Sequence, residues 1–113
     1  MTDLRIDAER LLGHLQALGD LGRSTDGKRT RLAASDADRA GRDAVTRWMR
    51  EAGLEVMVDR IGNLFGLWQA GDEGAAPLML GSHIDTVIDA GIYDGCYGVL
   101  AGLEVVRTLR EAG

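Results

Sequence analysis

The sequence of 113 residues has one cysteine, one proline and no long apolar run. A single cysteine cannot form an intrachain disulfide, so the composition suits a reducing compartment. No apolar stretch approaches the roughly 20 residues that a membrane-spanning helix needs. The N-terminal residues, Met1-Thr2-Asp3, are acidic and lack the apolar segment of a cleavable signal peptide. These absences predict a cytoplasmic protein that does not cross a membrane.

Positive charge is also scarce. The 13 Lys and Arg residues are outnumbered by 18 Asp and Glu, so the net charge is −5. That balance argues against nucleic acid or an anionic membrane as a partner. Hydrophobic residues make up 45% of the chain, which is adequate for a core. The length suits one small domain and not two.

Two amphipathic helices are predicted in the first half of the chain. Residues 7–21 have leucines at helical spacing: Leu11, Leu12, Leu15 and Leu18. Residues 35–52 begin at Ser35, which with Asp38 resembles a capping box. The stripe of this second helix that is expected to face the core consists of Val45, Trp48, Met49 and Ala52. Residues 22–34 are predicted to form a solvated connector, with the alternative that Arg29 or Arg31 shapes the mouth of a pocket. His14 is predicted to be an exposed or half-buried helix residue and not a ligand.

The second half predicts a hairpin, a strand and a helix. Residues 54–59 and 63–68 are expected to pair around a tight turn at residues 61–63. The apolar run at 78–81 predicts a buried parallel strand. Residues 95–111 predict a helix whose inward side chains are Val99, Leu100, Leu103 and Val106. Small residues on this helix should let it approach the sheet closely: Gly98, Ala101 and Gly102. The predicted fold class is α/β, in the order helix, helix, β-hairpin, parallel strand, helix.

Polar side chains follow the predicted strand. His83 and Asp85 are two residues apart, so in an extended chain they face the same side. Asp94 lies at the start of the last helix, where the helix dipole favours an anion. Imidazole and carboxylate suit Zn²⁺, Mn²⁺, Co²⁺ or Ni²⁺. From spacing alone, His83 could also be a hydrogen-bonded loop residue and Asp94 a helix N-cap. Asp85 could hold the imidazole ring or act as a further ligand.

Several short motifs succeed one another along the chain. They are Thr30-Arg31-Leu32-Ala33, residues 48–54 and 59–66, Gly81-Ser82-His83-Ile84-Asp85-Thr86-Val87, Gly91-Ile92-Tyr93-Asp94-Gly95 and residues 98–104. In this wording and order they resemble the hydantoinase/carbamoylase branch of the M20-type dinuclear metallohydrolases. This branch includes N-carbamoyl-L-amino-acid hydrolases, allantoate amidohydrolases and β-ureidopropionases. The resemblance implies an amidohydrolase of the EC 3.5 type that acts on non-peptide C–N bonds of small carbamoyl or ureido amino acids.

The resemblance also implies roles for particular residues. His83 would be a metal ligand and Asp94 the carboxylate that bridges two divalent ions, followed by a cis peptide bond. Asp85 would count among the catalytic residues as the carboxylate that supports the histidine. Thr86 is expected to be structural, and Cys96 a small buried side chain rather than a ligand. Tyr93 and Tyr97 would line the pocket or pack in the core, and no chemistry is assigned to Glu104.

Parts of the family machinery have no counterpart in the sequence. The resemblance implies a Glu-Glu pair, two further histidine ligands and a second domain for dimerisation, none of which follows His83. Residues 1–113 are therefore expected to be the N-terminal portion of an aminopeptidase-like three-layer α/β/α domain in a longer, homodimeric enzyme. The chain alone is expected to be inactive and, with a sheet edge bare, to self-associate. Alternatives are an aminoacylase or dipeptidase of the same superfamily, a non-catalytic fragment or an anion-binding module.

Overall fold

The computed structural model describes residues 3–113. Its elements are α1 (Ala8–Asp20), α2 (Asp36–Glu51), β1 (Glu55–Val58), β2 (Leu64–Leu67) and α3 (Cys96–Ala112). The predicted helices and hairpin strands are confirmed to within one residue at each end. The small α/β fold thus has the predicted order of helices and hairpin.

Side-chain caps set the starts of the first two helices. The Asp7 carboxylate accepts a hydrogen bond from the Arg10 backbone N–H at 3.0 Å, which satisfies one of the free donors of α1. Ser35 Oγ accepts from the Asp38 N–H at 3.1 Å. The Asp38 carboxylate accepts from the N–H of Ala34 at 2.9 Å, so the capping box predicted before α2 is reciprocal but reaches one residue further back. Gly53, with φ of +84°, then leads the chain away from the end of α2.

The core lies between the three helices and the start of the hairpin. Its fully buried members include Leu15, Leu18, Val45 and Leu100. The predicted α2 stripe is confirmed, since Val45, Trp48 and Ala52 are buried and Met49 packs against them. Of the four leucines at helical spacing in α1, Leu12 lies outside the buried face. Its side chain is 53% exposed because the buried face of α1 follows the other three leucines, at spacings of four and three.

His14 is half-buried, as predicted, and its ring stacks on Trp48 with the centroids 4.4 Å apart. Burial lowers the pKa of the His14 imidazole because the low-dielectric surroundings disfavour its charged form. The ring therefore contributes to packing between α1 and α2.

A buried ion pair joins α1 to α3. The Glu104 carboxylate is 3% exposed and accepts from Arg10 Nη2 at 2.7 Å and from the Asp7 backbone N–H at 3.2 Å. Arg10 also contacts the more exposed Glu111, at 2.9 Å. These carboxylates raise the pKa of Arg10, and the two arginines beside Glu111, first Arg10 and then Arg107, lower the pKa of that acid. The chain thus fastens its first helix to its last by charge as well as by apolar contact.

The hairpin is antiparallel, with register from Glu55 opposite Leu67 to Val58 opposite Leu64. Its turn is closed by Asp59, whose carboxylate accepts from the backbone N–H groups of Ile61 and Asn63. Gly62 takes the turn position with φ of +95°, which glycine adopts at little cost. Within residues 3–113 these two strands form the only sheet.

The prediction of a buried strand at 78–81 is wrong for the chain as it stands. Residues 75–87 have no regular secondary structure, and Leu78 is 92% exposed. A strand requires a neighbour to hydrogen-bond with, and β1 and β2 are paired only with each other. The apolar run therefore lies on the surface without a ladder.

None of the helices within residues 3–113 combines the length and the apolar character needed to cross a lipid bilayer.

Candidate metal centre

The segment that carries His83 runs along a glycine-lined face of α3. An added Cβ at Gly102 would lie 3.3 Å from the Cβ of Leu80, and one at Gly98 would lie 2.8 Å from the Cβ of Ser82. Positions 98 and 102 are four apart and so share one helix face. The predicted close approach at these small residues is confirmed, with an irregular segment in place of a strand. Any larger side chain on this face would push the segment away.

The His83 ring ends this line of contacts at Gly95. An added Cβ there would lie 2.6 Å from His83 Nε2 and closer still to other ring atoms. Gly95 has φ of +69° and is the N-cap of α3, so the backbone turns sharply at the residue after Asp94. The imidazole is thereby packed against the turn that carries the second candidate ligand.

Asp85 holds the His83 ring through one nitrogen. His83 Nδ1 lies 2.9 Å from the backbone carbonyl oxygen of Asp85 and 3.2 Å from its carboxylate Oδ1. Both partners are acceptors, so Nδ1 carries the proton and Nε2 keeps its lone pair. A hydrogen-bonded histidine with one free ring nitrogen has the arrangement typical of a metal ligand. Both side chains are about half exposed.

Asp94 lies on the surface at the turn before α3. Its side chain does not cap the helix, so the alternative of an N-cap role for Asp94 is wrong: the N-cap is Gly95 and has no side-chain cap. The expected cis bond after Asp94 is also absent, because the peptide bonds of residues 3–113 are all trans. The positive φ of Gly95 produces the turn instead.

The described residues supply an incomplete ligand set. Across 3–113, no three His, Cys, Asp or Glu side chains come together closely enough to hold a metal ion. The available donors, an imidazole nitrogen and a carboxylate, are nevertheless of the types that zinc binds. These donor types fit a divalent ion, but there are too few of them to complete its coordination.

Arg31, which the sequence offered only as an alternative residue at a pocket mouth, is buried near this centre, and that burial was not predicted. It is 3% exposed, so the expectation of a wholly solvated connector at 22–34 is wrong. Its backbone pairs with Thr86: the Arg31 N–H donates to Thr86 Oγ1 and the Thr86 N–H donates to the Arg31 carbonyl, both at 2.7 Å. The Ala90 N–H likewise donates to the carbonyl of Arg29 at 2.7 Å. The connector therefore lies against the loop that follows His83, and Thr86 is structural, as predicted.

The remaining candidates behave as packing or surface groups. Cys96 is buried, as predicted. Burial raises the pKa of its thiol, and the nearby Arg31 charge opposes that change only in part, so the thiol is neutral at pH 7. Tyr93 and Tyr97 are both exposed, with ring centroids 6.4 Å apart, so they do not pack in the core.

Comparison with known proteins gives a consistent result. The chain is 44% identical over 112 residues to the N-carbamoyl-L-amino-acid amidohydrolase of Pseudomonas sp. (strain NS671), which covers 99% of this chain and 27% of that protein. It is 37% identical over 98 residues to allantoate deiminase 1 of Glycine max, which covers 85% of this chain and 20% of the relative. No protein-family model matches the chain.

A solved structure gives the same result. The hydantoinase/carbamoylase family amidase from Burkholderia ambifaria superposes with a TM-score of 0.92 at 50% identity, over 98% of this chain and 28% of that one. The chain is thus homologous to the hydantoinase/carbamoylase amidases and matches the N-terminal part of their structures. It spans about a quarter of the length of the curated relatives cited here. The predicted resemblance is confirmed.

Proposed function

We propose that this chain is the N-terminal, metal-binding portion of an amidohydrolase that cleaves N-carbamoyl amino acids or related ureido acids. The observation that carries the proposal is the placement of His83. Its Nδ1 lies 2.9 Å from the backbone carbonyl oxygen of Asp85 and 3.2 Å from the Asp85 carboxylate, and its ring packs on Gly95, the residue that follows Asp94. The relatives named for carbamoyl amino acids and for allantoate support the substrate class.

In this proposal, His83 binds a divalent cation through Nε2, and Asp94 binds the same cation through its carboxylate. Asp85 fixes the tautomer and the direction of the imidazole, as carboxylates commonly do for metal-bound histidines. When bound, a divalent cation polarises the substrate carbonyl and lowers the pKa of a coordinated water. The whole enzyme would hold a second divalent ion, to which Asp94 would also contribute, with zinc, manganese, cobalt or nickel as candidates.

The wider organisation is proposed on the same basis. Residues 1–113 would form the N-terminal portion of a three-layer α/β/α catalytic domain, in which the exposed run at 78–81 gains strand neighbours from the rest of the enzyme. The missing metal ligands and the second domain would come from the same source. Homodimeric assembly and a cytoplasmic location likewise remain proposals for the whole protein.

A chimaera tests this function directly. The corresponding quarter of the Pseudomonas N-carbamoyl-L-amino-acid amidohydrolase, which is 44% identical, is replaced by this chain so that the relative supplies everything else. We expect metal-dependent release of ammonia from an N-carbamoyl-L-amino acid, because His83 and Asp94 would complete the ligand set. The 113-residue chain alone should release none.

Two substitutions in the chimaera serve as test and control. His83→Ala should eliminate ammonia release. His14→Gln should preserve it, because the His14 ring stacks on Trp48 and lies outside the candidate metal centre. A chimaera that folds yet gives no product would contradict the proposed function, as would full activity after His83→Ala.

A further inference from the structure

The guanidinium of Arg31 is buried among neutral acceptors. It donates to the carbonyl oxygens of Leu18 at 2.9 Å and Leu21 at 2.8 Å, at the C-terminal end of α1. It also donates to the carbonyl of Ile84 at 2.8 Å and to Cys96 Sγ at 3.1 Å. Within residues 3–113, no carboxylate pairs with this side chain. Burying an unpaired charge is costly unless hydrogen bonds satisfy it, and the negative end of a helix dipole favours a cation there.

The partners of Arg31 lie next to the candidate ligands. Ile84 is the residue between His83 and Asp85, and Cys96 is two residues beyond Asp94 and begins α3. The Cys96 thiol also lies 3.7 Å from the Ile84 carbonyl. One guanidinium therefore connects the histidine segment, the start of α3 and the end of α1. The backbone pairing of Arg31 with Thr86 fixes the same segment on its other side.

We propose that Arg31 is a positioning residue that sets the distance between His83 and Asp94 for metal binding. This inference rests on the proposed function, since it takes those two side chains as ligands. The hydrogen bonds from Arg31 to Ile84 and Cys96 hold the two ligand-bearing segments together. The hydrogen bonds from Arg31 to the carbonyls of Leu18 and Leu21 anchor both segments to the end of α1. A lysine would keep the charge but offers a single ammonium in place of the planar fork, so it cannot serve all the acceptors at these angles.

The test is a zinc titration of the chain followed by long-range ¹H–¹⁵N NMR of the imidazoles. In the unsubstituted chain, His83 Nε2 should shift on zinc addition, and His14 serves as the internal reference. In Arg31→Lys, the zinc affinity of the folded protein should fall by about 10- to 100-fold, as expected for a residue that orients a ligand. The nuclear Overhauser contact between the His83 Hε1 proton and the Gly95 Hα protons, which reports the closeness of the two segments without metal, should weaken or vanish.

Glu104→Gln is the matched control because it disrupts a different buried charged group, whose partners are Arg10 and the Asp7 backbone. It should lower stability yet leave zinc affinity and the His83–Gly95 contact unchanged. The positioning role would be overturned if Arg31→Lys left zinc affinity and the His83–Gly95 contact unchanged. It would also be overturned if Arg31→Lys reduced them no more than Glu104→Gln does. If the unsubstituted chain shows no zinc shift at His83, two ligands do not suffice to hold the ion, and ammonia release by the chimaera decides the proposed function. The metal-free contact then still decides whether Arg31 positions the two segments.

Discussion

Gly95→Ala is expected to eliminate the zinc-induced shift of His83 Nε2. A methyl group at position 95 would overlap the imidazole ring, which the structure places within 2.6 Å at Nε2 and nearer at other atoms. Because Asp94 and Gly95 form one turn, the ring must swing away from the very residue with which it would share an ion. The backbone adds a further penalty of about 1–3 kcal/mol, since alanine rarely adopts a positive φ. Zinc titration by NMR, with circular dichroism to establish folding, measures the effect.

Gly62→Ala separates the two causes. Gly62 also has a positive φ, +95°, but an added Cβ would meet nothing within 4 Å. This control should lose stability by about the backbone penalty alone and should bind zinc normally. If Gly95→Ala bound zinc as well as Gly62→Ala, the packing of His83 on the turn would have no part in metal binding.

Glu104→Gln is expected to lower the free energy of unfolding by about 3 kcal/mol, the lower end of the range for removing one member of a buried ion pair. Glu104 is 3% exposed and accepts three hydrogen bonds within 3.0 Å from Arg10. Glutamine would leave the arginine charge partly uncompensated between α1 and α3. The lower end of the range applies because Arg10 keeps Glu111 as a partner. Urea unfolding followed by circular dichroism measures the loss.

Glu111→Gln provides the comparison within the same network. Glu111 also binds Arg10, but its side chain is 55% exposed and solvent screens its charge, so its removal should cost much less than the removal of Glu104. Equal losses for the two variants would show that burial of Glu104 is not what makes the pair important for stability.

The helices could be predicted because their signals are local. The start of α2 is specified by Ser35 and Asp38, and its end by Gly53. The buried face of α1 is specified by the recurrence of Leu11, Leu15 and Leu18. The hairpin has the same property, since its turn and both strands lie within 13 residues, Glu55 to Leu67. The four leucines at helical spacing in α1 do not by themselves specify which are buried: one helix face accommodates three, and Leu12 is exposed.

The run at 78–81 could not be predicted correctly from its own residues. Apolar composition favours a buried strand, but pairing depends on a neighbour from elsewhere in the fold. In residues 3–113 the segment contacts α3 at Gly98 and Gly102 and leaves Leu78 and Met79 exposed. The comparisons are consistent with this result, since the chain covers about a quarter of its relatives.

The burial of Arg31 could not be predicted for a related reason. An arginine in a polar loop is usually solvated, and nothing in the local pattern indicates burial. Its environment arises only when the carbonyls of Leu18 and Leu21, the carbonyl of Ile84 and the thiol of Cys96 converge from distant parts of the chain. The ligand candidates His83 and Asp94 could be proposed from sequence, but the residue inferred to position them could not.

The central claim is that His83 and Asp94 bind one and the same divalent cation. The most direct measurement follows His83 ¹⁵Nε2 and Asp94 ¹³Cγ in a single zinc titration of the chimaera, in which the relative supplies the remaining ligands. Both nuclei should shift along one binding curve, and Asp94→Asn should weaken the response of His83. Zinc that moves the histidine signal while leaving the aspartate signal unchanged, or that moves neither, would contradict it.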